Sequence, residues 1–81
     1  MGESDEEAFI RRTLAEVCAL DPVALRADVP LIEYGLDSAR AIDLLVAIEG
    51  EYDVRIPDDA VLKIRTLADL CAYVRGRVAA R

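Results

Sequence analysis

The stretch Gly35-Leu36-Asp37-Ser38-Ala39-Arg40-Ala41-Ile42-Asp43-Leu44-Leu45-Val46-Ala47-Ile48-Glu49 constrains this chain most. It opens on a glycine, which turns easily, and then offers two side chains able to cap a helix, Asp37 and Ser38. No proline or glycine interrupts it until Gly50, so the run predicts a helix from about Ser38 to Tyr52. Ala41, Leu44, Leu45, Ile48 and Tyr52 recur at helical spacing and form a stripe that must face a core. A helix amphipathic in this way has to bury one face against other elements.

The flanking segments supply those elements. Residues from about Ser4 to Leu20 read as a first helix, with Ile10, Leu14, Val17 and Cys18 on one stripe and Phe9 and Ala15 beside it. Ser4 or Asp5 can cap it, Asp5, Glu6 and Glu7 suit its positive end, and Asp21-Pro22 is expected to stop it. The connection from Asp21 to Asp37 is long for a compact fold, but Leu25, Val29, Leu31, Ile32, Tyr34 and Leu36 argue that it packs over the helices. A short helical turn is expected at Pro22 to Leu25.

After an extended link ending at Pro57, Asp58 can cap a short helix from Asp59 to Leu62 or Ile64. Thr66, with Asp69 three residues on, has the spacing of a capping box and opens a last helix. Leu67, Leu70, Cys71, Val74 and Val78 form its stripe. The expected fold is all-α, a small antiparallel four-helix bundle of three long helices and one short one, in a single domain over 1–81.

Charge and residue content exclude several functions. The net charge is -6, which disfavours nucleic acid as a partner and favours basic protein surfaces. No apolar run is long enough to span a bilayer, and the first residues carry no basic, apolar leader, so a cytoplasmic monomer is expected. There is no histidine, which removes Ser-His and Cys-His nucleophiles and the commonest metal ligand together. Cys18 and Cys71 are far apart, without a CxxC pattern, and read as buried free thiols. Neither a metal site nor catalysis by the polypeptide is expected.

Ser38 therefore has two readings. In one it only caps the helix that it opens. In the other Asp37 caps and the serine hydroxyl is left for modification, at a helix end that favours a negative group. The side of that helix bearing Ser38, Ala39, Ile42, Asp43, Val46, Glu49 and Gly50 mixes aliphatic residues with carboxylates. It can be an ordinary surface, or a docking face with an apolar centre and an acidic rim.

Gly35-Leu36-Asp37-Ser38, Ile42-Asp43-Leu44, Ile48-Glu49, Glu51-Tyr52 and Ile56-Pro57-Asp58-Asp59 resemble the acyl carrier proteins, without a gap from about Leu31 to Thr66. The resemblance implies the same helical bundle and makes Ser38 the attachment point of a 4′-phosphopantetheine arm. It implies a phosphopantetheinyl transferase as partner, together with acyl-loading, ligase, synthase or tailoring enzymes carrying basic docking surfaces. Asp37, Ala39, Arg40, Ile42, Asp43, Val46 and Glu49 fall at partner-contact positions.

Three residues depart from the family's pattern. Ala39 stands where leucine is usual, Arg40 brings a positive charge beside the serine, and Gly50 replaces a frequent acidic residue. These departures point to a specialised pathway, polyketide or related, rather than housekeeping fatty-acid synthesis. The expectation is a discrete carrier working in trans. An aminoacyl or aryl carrier, a fatty-acid carrier and an unmodified helical interaction domain are the alternatives. Arg40 is expected to pair with Asp43 or to pack its stem toward Leu44.

Overall fold

A computed structural model describes residues 5–80. Four α-helices carry the fold: α1 (Asp5–Cys18), α2 (Ser38–Tyr52), α3 (Asp58–Val61) and α4 (Leu67–Ala79). The expected cap at Ser4 lies outside the described residues. Helix α1 packs against both α2 and α4. Ile10 and Leu14 of α1, Leu44 and Ile48 of α2, and Leu67, Leu70 and Val74 of α4 are almost fully buried and form the centre of the core. The stripes expected for α2 and α4 therefore face inward. In α1 the stripe is rotated: Ala15 is buried, while Val17 and Cys18 are only half-buried.

Helix α1 ends earlier than Asp21-Pro22 would dictate. Ala19 adopts a left-handed conformation with φ 57°, and the N–H of Leu20 donates to the Ala15 carbonyl at 2.8 Å. That reverse link satisfies a terminal carbonyl and turns the chain before the proline is reached. Asp58 also differs from expectation. It is the first residue of α3, and the cap position belongs to Pro57, which offers no side-chain acceptor.

The connection from α1 to α2 is ordered by packing and by backbone bonds. It contains two short 3₁₀ turns, at Pro22–Ala24, as expected, and at Leu31–Tyr34. Leu25 and Leu31 are buried in the core. The Leu31 N–H donates to the Arg65 carbonyl at 2.8 Å, and the Ala68 N–H to the Ala27 carbonyl at 3.1 Å, tying the loop to the start of α4. Arg11 of α1 donates to the Leu25 carbonyl at 2.7 Å, and the Arg26 N–H donates to the Tyr34 hydroxyl at 2.7 Å. These bonds occupy polar groups that a buried loop would otherwise leave unpaired. The loop thereby delivers Gly35, with φ 84°, to the start of α2 in the left-handed region that glycine adopts freely.

The start of α4 matches its sequence signal. The Thr66 hydroxyl accepts from the Asp69 N–H at 3.1 Å, and the Asp69 carboxylate accepts from the N–H groups of Thr66 and Arg65.

Candidate functional site

The first turn of α2 divides its work between two adjacent residues. Asp37 is the N-cap, and its Oδ1 accepts from the Arg40 N–H at 2.9 Å. Ser38, the first residue of the helix, is exposed, and its hydroxyl has no hydrogen-bond partner among the described residues. The capping reading of Ser38 thus gives way to its neighbour. A free hydroxyl at a helix N-terminus lies where unpaired N–H groups and the helix dipole favour an attached anion.

Arg40 does not pair with Asp43. Its guanidinium turns back over the first turn, with Nη1 3.2 Å from the Gly35 carbonyl and 3.4 Å from Asp37 Oδ2. A helical side chain leans toward the N-terminus of its helix, which carries the guanidinium to Asp37 and Gly35 and away from Asp43, one turn further on. The charge of Asp37 is therefore balanced locally.

The remaining docking candidates are placed as follows. Ala39, Ile42, Asp43 and Val46 are all exposed, Ile42 at 61% and Val46 at 62%, which is high for aliphatic side chains. Ile42 and Val46 line an open groove of about 570 Å³ between α2 and the 53–58 segment, together with Arg55, Pro57 and Asp58. Glu49 sits at the far end of this groove but is half-buried, and its Oε2 accepts from the Ile56 N–H at 2.8 Å. Two of the three carboxylates read as docking groups, Asp37 and Glu49, therefore hold backbone N–H groups. Asp37 and Asp43 are both exposed, and Asp43 is the one of the three that holds no backbone N–H among the described residues. Arg55 was not singled out by its sequence, since a lone arginine in a link carries no periodic signal.

A small apolar cavity of about 50 Å³ lies between α2, α3 and α4, lined by Leu36, Ala41, Leu45, Val61 and Ile64 among others. Cys18, expected to be buried, is half-buried. Its partial burial pushes the thiol pKa up, with the nearby Asp37 carboxylate adding to the rise and Arg40 opposing it. The described residues contain no His/Cys/Asp/Glu group able to hold a metal ion, and no helix among them is long and apolar enough to cross a membrane.

The exposed Ser38 hydroxyl beside a self-sufficient cap is sterically accessible to covalent modification. Residues 8–74 match the family described as Phosphopantetheine attachment site. The acyl carrier protein of Rickettsia typhi is 37% identical over 72 residues, covering 88% of this chain and 84% of its own. That of Bdellovibrio bacteriovorus is 30% identical over 69 residues, covering 84% of this chain and 88% of its own. The mupirocin didomain ACP superposes with a TM-score of 0.82 at 23% identity, over 95% of this chain and 42% of that one.

The chain belongs to the acyl carrier protein family, whose members carry covalently attached 4′-phosphopantetheine and have no catalytic residues of their own. Its partners by family are a phosphopantetheinyl transferase and acyl-processing enzymes. The first turn of α2 fits the prosthetic group, since the free Ser38 hydroxyl is accessible and the helix end tolerates its phosphate.

Proposed function

We propose that Ser38 bears the 4′-phosphopantetheine arm and that this chain shuttles acyl groups between enzymes of a specialised, polyketide-type or related pathway. The observation that carries the assignment of the serine is the division of labour at the α2 start. Asp37 holds the Arg40 N–H, and the Ser38 hydroxyl is exposed and unpartnered. When attached, the arm supplies a terminal thiol that holds the acyl group as a thioester. The polypeptide contributes a rigid helix end, a favourable field for the phosphate, and a surface that partners read.

That surface is the strip Ala39, Ile42 and Val46 with Asp43 beside it. Its exposed aliphatic groups provide contact area, and Asp43 provides a point charge for a basic partner. The specialised pathway is favoured by Ala39, Arg40 and Gly50, each of which alters the serine-bearing face. Alanine after the serine gives up about 1–2 kcal/mol of apolar burial in a complex, which cognate partners make up with a bulkier complementary surface.

Intact mass after incubation with coenzyme A and a broad-specificity phosphopantetheinyl transferase tests the assignment. The parent is expected to gain one phosphopantetheine and Ser38→Ala none. A folded parent that gains nothing overturns it.

A further inference from the structure

We infer that Arg40 is a positioning residue for the phosphodiester that joins the arm to Ser38, an inference that rests on Ser38 being the attachment point. Three observations lead to it. The Arg40 guanidinium is drawn back over the helix N-terminus, held by the Gly35 carbonyl and the Asp37 carboxylate. Ser38 stands between Asp37 and Arg40 in sequence, on the same first turn of α2, with its hydroxyl unpartnered among the described residues. The Arg40 side chain is also half-exposed, at 51%, and its bonds to Gly35 and Asp37 both run through Nη1.

Arginine has five N–H donors in a planar fork, and phosphate oxygens match that fork. With Asp37 and Arg40 in balance, a phosphodiester on Ser38 adds one uncompensated negative charge at this end of α2. The remaining donors of Arg40 meet that charge without releasing Asp37. The root of the arm is thereby held toward the Gly35 side of the helix end, and its first bonds lose freedom. An exposed interaction of this kind is screened by salt.

The test compares apo and arm-loaded protein for the parent, Arg40→Gln and Arg40→Lys, with intact mass confirming loading in each. Three readouts are taken: the Arg40 Nε–Hε resonance, the ³¹P resonance of the phosphodiester and the melting temperature. The Arg40 resonance is expected to move on loading of the parent, and to move less in 1 M salt. The ³¹P resonance is expected to shift in Arg40→Gln and to return part-way in Arg40→Lys. Loading should also raise the melting temperature more in the parent than in Arg40→Gln, by about 1–4 °C. A purely structural Arg40 would change apo and loaded forms alike.

An Arg40 resonance unmoved by loading, or a ³¹P resonance identical in parent and Arg40→Gln, overturns the role of Arg40 and leaves Ser38 intact as the attachment point. A parent that gains no mass, or a gain that persists in Ser38→Ala, overturns the attachment point and the role of Arg40 with it.

Discussion

The Glu49 carboxylate accepts the backbone N–H of Ile56 at 2.8 Å and so fastens the link after α2 to that helix. Ile56 and Val54 on this link are buried, so the bond positions two core side chains as well as one wall of the groove beside Ile42 and Val46. Glu49→Ala leaves a part-buried N–H without an acceptor and should cost about 1–3 kcal/mol in urea unfolding. Glu49→Gln, which keeps an acceptor oxygen, should cost less. Were Glu49 only a docking charge, both changes would leave stability untouched.

Asp37 and Ser38 should respond to alanine in opposite ways. Asp37→Ala removes the acceptor of the Arg40 N–H and should cost about 0.5–2 kcal/mol of unfolding free energy. Ser38→Ala removes a hydroxyl with no partner and should stay within about 0.5 kcal/mol of the parent while abolishing arm attachment. Thermal melts and intact masses of the two variants together check this.

Ala19 holds a left-handed conformation that glycine adopts without steric penalty. Ala19→Gly should stabilise the protein by about 0.5–1 kcal/mol, because relief of native strain exceeds the added freedom of the unfolded chain. A lower midpoint of urea unfolding would contradict the assigned helix end.

The two faces of α2 should be separable by truncation. Leu44→Ala removes a side chain that is 2% exposed and should cost about 2–5 kcal/mol. Val46→Ala, at a position 62% exposed, should lie within about 0.5 kcal/mol of the parent. Val46→Ala should instead slow modification by the transferase, which kinetic mass spectrometry would read.

Alkali should weaken the fold. Burial raises the pKa of the Tyr52 hydroxyl, aided by Glu6, Glu51 and Asp5 and opposed by Arg12, and it raises that of Cys18 as described above. A raised folded pKa means that the unfolded chain loses its proton first as pH rises. Stability is then complete below the ordinary thiol and tyrosine ranges, about 8.5 and 10, and declines as pH climbs through and above them. Urea midpoints should fall from pH 8 to pH 11, and the fall should be smaller in Tyr52→Phe.

Much of the scaffold is legible along the chain because it rests on local rules. The stripes of α2 and α4 follow from residue spacing, and the Thr66–Asp69 cap and the Asp37 cap follow from side chains three residues from the groups that they bind. Gly35-Leu36-Asp37-Ser38 marks the candidate attachment point for the same reason, since cap, serine and helix start are neighbours in sequence. The stripe of α1 was less legible. Which of Ala15, Val17 and Cys18 turns inward depends on where α2 and α4 lie, and its end depends on the left-handed turn at Ala19 rather than on the proline beyond.

Spacing along the sequence thus determined the helices, the inward faces of α2 and α4, and the serine that opens α2. Tertiary structure decided how the charges around that serine are used. Glu49 is drawn away by Ile56, Arg40 is turned toward Gly35 and Asp37, and the long loop is pinned by Leu31 and Ala27 to the start of α4. The physical reason is that a carboxylate or guanidinium has no preferred partner until folding brings acceptors and donors within reach. A stripe of leucines, by contrast, must face inward wherever the core lies.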